Sequence, residues 1–225
     1  MMKRILFLFA VIFSLTASAQ RMIDKEVGDF NKIKVFDLIE VNLIKSDENR
    51  ITIKGENVYD IKVVNDDGTL KLRMQLEKKF TGENTFIEVF YKHLDVIDGN
   101  EGAKIVCNEL IKQDHLELRT QEGAHIKAGL DVVNLDVRAV TGGIIEASGL
   151  AENQWIVLNT GGIFEGRELK TSNTDIKITA AGEAEIYASD KVDINVKAGG
   201  DVYVYGNPRS VNKKTLAGGR VYIKD

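Results

Sequence analysis

The chain has 225 residues, 44% hydrophobic and 28% charged, with 34 acidic against 30 basic side chains and a net charge of −4. That composition suits a globular protein with one sizeable core, and the mixing of charge signs along the chain excludes the clustered basic footprint of a nucleic-acid binder. The one cysteine, Cys107, excludes an intramolecular disulfide, so packing alone must hold the fold.

The sequence opens with Met1-Met2-Lys3-Arg4, is almost wholly apolar from Ile5 to Leu15, and passes through Thr16-Ala17-Ser18-Ala19-Gln20. A positive start, an apolar run of about a dozen residues and a small-x-small site make residues 1–19 a secretory signal peptide, too short to span a bilayer easily. Cleavage after Ala19 leaves 28 basic and 34 acidic side chains, a charge of −6, and no later stretch of transmembrane length. Residues 20–225 are therefore expected to form a single exported domain, periplasmic, cell-surface-associated or secreted.

From Phe30 to Tyr91 apolar residues alternate with polar ones, as in Ile33/Val35, Ile39/Val41/Leu43, Ile51/Ile53, Leu70/Leu72/Met74 and Ile87/Val89/Tyr91. Period two puts one face of a strand in a core and the other in water. Asp67-Gly68, between Ile61-Lys62-Val63-Val64 and Leu70-Lys71-Leu72, is the strongest hairpin signal. Residues 20–93 thus read as an N-terminal set of strands, or cap, ahead of repeat coils over 94–225.

The coils announce themselves by a recurring phrase of a large apolar residue flanked at two positions by small ones. Its central residues are Ile105, Ile126, Ile145, Phe164, Ile186, Val204 and Ile223, spaced by 21, 19, 19, 22, 18 and 19 positions. Earlier in each repeat stands another short strand, such as Leu116-Glu117-Leu118, Leu135-Asp136-Val137 or Ile176-Lys177-Ile178, and glycines mark a bend between the two, as at Gly123, Gly142-Gly143 and Gly161-Gly162. A repeat of roughly 20 residues predicts a parallel β-solenoid, with seven coils about 4.8 Å apart making a rod of roughly 34 Å. The competing arrangement, an antiparallel sandwich of hairpins, does not require that register. Pro208, the only proline, predicts an excursion between coils six and seven.

Chemistry-bearing residues are few. His93, His115 and His125 lack metal-ligand spacing. Cys107 occupies a column filled elsewhere by Ala128, Ala147, Gly166, Ala188 and Gly206, the place of a small inward filler rather than a nucleophile. Asp95, Glu117 and Asp136 alternate with inward leucines and are expected to form an exposed, solvated acidic column, with a calcium ion as the alternative. No catalytic, cofactor or metal site is expected. The outward neighbours of the central residues instead turn apolar and aromatic. Ile144, Ile163, Tyr187, Tyr203, Tyr205 and Tyr222 give an otherwise wet face the character of a contact surface, the four tyrosines above all. With no obvious cap after Val221-Tyr222-Ile223-Lys224-Asp225, self-association through coils six and seven is expected as well.

The strand-rich start Phe30-Asn31-Lys32-Ile33-Lys34-Val35, the phrase Leu94-Asp95-Val96-Ile97-Asp98-Gly99-Asn100-Glu101-Gly102-Ala103-Lys104-Ile105, and the ending Gly199-Gly200-Asp201-Val202-Tyr203-Val204-Tyr205-Gly206-Asn207-Pro208 matter most. Together they resemble the "putative auto-transporter adhesin, head GIN domain" family of exported bacterial proteins. The resemblance covers nearly all of the mature chain and implies a right-handed parallel β-helix at the cell envelope with no assigned catalytic residues. The expected function is a non-enzymatic, rigid solenoid surface for binding or adhesion, with a homo-oligomer, an envelope protein or a glycan as partner. The alternatives are a polysaccharide-binding or polysaccharide-active β-helix and a self-assembling structural subunit.

Overall fold

The structure is a computed structural model that describes residues 22–224, so the signal peptide expected over residues 1–19 lies outside the described residues. Fourteen strands and one 3₁₀ turn, Leu76–Lys78, make up these residues, and the strands form one continuous hydrogen-bonded sheet system. The repeat region is β8 (Val96–Gly99), β9 (Lys104–Thr120), β10 (His125–Val140), β11 (Ile144–Asn159), β12 (Ile163–Ile178), β13 (Glu183–Tyr205) and β14 (Ser210–Ile223). Each pairs in parallel with the next, giving a β-solenoid of about seven turns. Every turn has a first stretch, a glycine corner and a second stretch, and the side chains between the stretches are the core.

On the first stretch Ile97, Leu118, Val137, Ile156, Ile176 and Ile194 stack in register, all buried. On the second, Ile105, Ile126, Ile145 and Phe164 do the same. The corners Glu101-Gly102, Glu122-Gly123, Thr141-Gly142 and Thr160-Gly161 all hold two consecutive residues at positive φ, between 49° and 77°. A tight reversal of this kind is cheapest with glycine second.

The solenoid continues below residue 94. β2 (Lys32–Val35) and β3 (Glu40–Lys45) form one more parallel rung under β8 and β9, and β6 (Thr69–Met74) and β7 (Thr85–Tyr91) form another beneath that. The chain therefore lays down the inner of these two rungs first. It closes the end with antiparallel strands: β5 (Ile61–Asp66) on β6 through the Asp67-Gly68 hairpin, β4 (Arg50–Gly55) on β7, and β1 (Met22–Glu26) on β4. Val27, Phe30 and Val58 are buried in the core on this side.

Three expectations from the repeat are corrected. In the fifth turn Phe164 pairs with Ala184, not Ile186, and Gly166 pairs with Ile186, not Ala188. The slip is two residues, so Ile186 stays inward and buried, and the large residue moves to the next position along the strand. Phe164 explains it. A Cβ on Gly166 would lie 2.1 Å from Phe164 Cε1, so the ring already occupies the space over Gly166. A small Ala184 above the ring and a large Ile186 above the glycine restore a level layer. Cys107 accordingly stacks with Ala128 and Ala147, while further along Gly166 meets Ile186 rather than Ala188. Finally, Val96 rather than Asp95 pairs with Glu117, so the outward column is Glu117, Asp136, Trp155, Asp175, Asp193 and Asn212. Pro208 lies between β13 and β14, outside any strand.

Candidate functional site

On the outer face of the second stretches, Lys104, His125, Ile144, Ile163 and Glu183 form one column, and Val106, Lys127, Glu146, Glu165 and Glu185 the next. Asp201 donates its backbone N–H to Gly182 O, as Glu183 does to Gly162 O one rung earlier. This sets Asp201 beside Glu183 and Tyr203 beside Glu185. Tyr203 and Tyr222 pair in one column, and Tyr205 stands two residues further along the strand than Tyr203.

The Tyr203 and Tyr222 rings stack with centroids 4.9 Å apart and planes 12° from parallel. This is the offset geometry that adds to simple area burial. Lys224 Nζ stands 5.5 Å from both centroids. Next to them Arg220 donates two hydrogen bonds to Asp201, Nε to Oδ1 at 2.7 Å and Nη2 to Oδ2 at 2.6 Å. Desolvation, with Asp201 and Glu183 adding negative charge, raises the Tyr203 hydroxyl pKa above its ordinary value. Arg167 lies over the Tyr205 ring at 4.6 Å. All four tyrosines are half-buried. The result is an aromatic strip edged by guanidinium, ammonium and carboxylate groups.

Among the hollows elsewhere on the described surface, two lie beside the N-terminal rungs. One of about 410 Å³ is lined by Lys34, Asp98, Arg119 and Arg138. Asp98 is buried, 3.0 Å from Lys34 Nζ, and accepts a 3.0 Å hydrogen bond from Asn100. Arg119 is held by Glu117 through bonds of 2.5 and 2.6 Å, which raise the guanidinium pKa further. The other hollow, about 400 Å³, exposes Phe86 and Val106 between the pairs Lys54–Glu88 and Lys104–Glu40. Neither was visible in the sequence, because each joins strands that the displaced N-terminal rungs bring together.

The remaining candidates fall apart as sites. His93, His115 and His125 lie near Asp95, Asp136 and Glu146 respectively, at 2.7, 3.5 and 3.9 Å. These are three separate pairs, and among the described residues no cluster of His, Cys, Asp and Glu could hold a metal ion. Cys107 is buried, and desolvation pushes its thiol up to about 12. Sequence reading missed an asparagine ladder, Asn134 to Asn153 to Asn173, joined by 3.1 Å hydrogen bonds. Asparagine recurring at 19 and 20 residues was its signal.

Residues 29–208 match the family described as "Putative auto-transporter adhesin, head GIN domain". The chain belongs to this family. The GIN-domain chain also shares its fold with a putative adhesin from Bacteroides fragilis, at TM-score 0.84 and 18% identity over 92% of this chain and 98% of that one. A putative adhesin from Parabacteroides merdae aligns at TM-score 0.72 and 18% identity, and a putative lipid binding protein from Parabacteroides distasonis at 0.69 and 16%, each over 93% of this chain and 98% of the other. At such identities the likeness concerns the fold. No curated protein matches the sequence. Among the described residues no helix of the GIN-domain chain is long and apolar enough to cross a membrane.

Proposed function

We propose that this GIN-domain protein is an exported, non-enzymatic binding protein that holds a glycan on the outer face of its terminal rungs, around Tyr203 and Tyr222. The observation that carries the reading is the stacked tyrosine pair beside the Arg220–Asp201 fork. Tyrosine offers an apolar ring for sugar C–H groups and a hydroxyl for hydrogen bonding, and fixing it costs little side-chain entropy. Planar charged groups next to it supply directed donors and acceptors for sugar hydroxyls. The rigid ladder beneath fixes their spacing. Export is supported by the signal-peptide pattern of residues 1–19 and by the family's adhesin name. A non-enzymatic role is supported by the way carboxylates on the outer face are engaged by bases, as in Glu117–Arg119 and Asp201–Arg220.

The test is binding of residues 20–225 to a panel of neutral and acidic polysaccharides, followed by calorimetry on any that bind. Tyr203→Ser with Tyr222→Ser is expected to weaken binding at least tenfold. Undiminished binding by that folded variant would refute the site, and release of new reducing ends from any polysaccharide would refute the non-enzymatic reading.

A further inference from the structure

The two ends of the solenoid carry opposite charge. From residue 209 to residue 225 the sequence carries Arg209, Lys213, Lys214, Arg220 and Lys224 against one acidic residue, Asp225, a side-chain charge of +4 within a chain of net charge −4. Arg209 and Arg220 are tied back to Asp190 and Asp201, whereas Lys213 and Lys214 are exposed and form no ion pair among the described residues. At the other end the closing layer of β1, β4, β5 and their turns, residues 22–31 and 46–68, has nine acidic and four basic side chains, or −5. Asp47, Glu48, Glu56, Asp66 and Asp67 are exposed there.

The strand edges match as well. Among the described residues β14 pairs only with β13, β5 only with β6 and β1 only with β4. β5 borders the first-stretch ladder and β1 the second-stretch ladder, the two ladders that end at β14 on the opposite side. β1 stands one strand further out than β5, because β4 lies between β1 and β7 whereas β5 pairs directly with β6, so a second copy displaced along the rod axis would set β1 against Ala217–Ile223 and bring β5 to within about one strand spacing of Ser210–Thr215. Lys213 gives this edge selectivity. It stands over Ile194 in the inward column, where an apolar residue would accept any strand edge. An inward charge at a sheet edge blocks indiscriminate pairing. An acidic partner relieves that block.

We infer that the terminal rung receives the acidic cap of a second copy of this chain, so that the protein assembles head to tail. Two tails or two heads would each bring like charges together, and a flexible anionic polymer or a lipid headgroup lacks a strand to pair with the open edges. The junction is heterologous and does not close on itself, so it builds filaments. With sheets about 10 Å apart and side chains on both faces, each end offers about 500 Å², or about 1,000 Å² per junction, the low end for specific contacts. Assembly is thus concentration-dependent and sensitive to salt. It shares β14, with Arg220 and Lys224, with the glycan reading, but uses the strand edge at the end of the rod, and the substitutions that test it leave Tyr203, Tyr222 and the Arg220–Asp201 fork unchanged.

The test is sedimentation of residues 20–225 between about 10 μM and 1 mM, at 50 and 500 mM NaCl, where the screening length falls to about half its value at 0.1 M or less. At low salt and high concentration the average mass should rise at least twofold above the monomer and fall back at high salt. Lys213→Glu with Lys214→Glu, and separately Glu56→Lys with Asp66→Lys, should each remain monomeric with unchanged melting temperature. Mixed in equal amounts they should assemble again, because the reversed tail of one meets the reversed head of the other. A wild-type monomer at every concentration would overturn the inference. So would assembly lost only in the tail variant, a mixture that stays monomeric, or a monomeric protein whose tail variant loses binding to heparin or to phosphatidylserine vesicles.

Discussion

The exchange of large and small residues between the fourth and fifth turns can be tested by undoing half of it. Phe164 is fully buried, and a Cβ on Gly166 would fall 2.1 Å from its Cε1 and 2.5 Å from its Cζ. The ring is held among Ile145 below, Ala184 above and Ile186 above the glycine, all buried, so it has little room to turn away. Gly166→Ala therefore overpacks the layer. The strain of about 1–3 kcal/mol exceeds the gain of about 0.5–1 kcal/mol from removing a glycine, leaving a loss of about 1–2 kcal/mol. Phe164→Ile removes ring carbons and leaves a void, a loss of about 1–2 kcal/mol. Together they recreate the Ile145/Ala147 pair of the rung below, and the double variant should lie within about 1 kcal/mol of the wild type, a coupling of about 2 kcal/mol. Urea denaturation of all four proteins, with unchanged m-values, measures this. A double variant that merely sums the two single losses would refute the register, as would a neutral Gly166→Ala.

Adjacent glycines at one corner should behave differently. Gly161, at φ 77°, has open space where a Cβ would stand, so Gly161→Ala should cost only the left-handed backbone penalty of about 1–2 kcal/mol. In Gly162→Ala the new Cβ would meet Ala139 O at 2.0 Å, and a loss of about 3 kcal/mol or more in chemical denaturation is expected; equal losses would contradict the packing. The buried thiol sets an alkaline limit. Burial raises Cys107 from 9.0 to about 12, and burial together with the nearby Cys107 and Glu109 raises Tyr91 from 10.0 to about 12. The folded state keeps protons that the unfolded chain releases, so stability falls as pH rises from about 9 toward 12, by about 1.4 kcal/mol per unit from the thiol alone. Cys107→Ala should flatten stability against pH between about 9 and 10 and lessen the slope above that, where Tyr91 still contributes, and a thiol reagent should label native protein slowly; an unchanged slope would count against the burial.

Alternation and the recurrence at 18 to 22 residues were enough to determine strands, parallel stacking and which side of most strands faces inward. Ile105, Ile126 and Ile145 could be aligned from the sequence alone because each carries small neighbours at the same two positions. The aromatic outer face was legible for the same reason, since period two assigns Tyr203 and Tyr222 outward whatever the exact register. Only the tertiary structure decided the register of the fifth turn. A slip of two residues leaves every side chain on its own side, so alternation cannot detect it, and the choice rests on whether the Phe164 ring overlaps its neighbour's place. The rung order at the N-terminal end was hidden too. β2 and β6 are both alternating strands of similar length, and nothing in either says that the one made first lies between β6 and β8. That order brings Lys34 to Asp98, and Phe86 near Val106, across more than ten residues of intervening strand and turn. Local patterns fix which face of a strand is buried, but neighbours are chosen by how side-chain volumes fill one shared core.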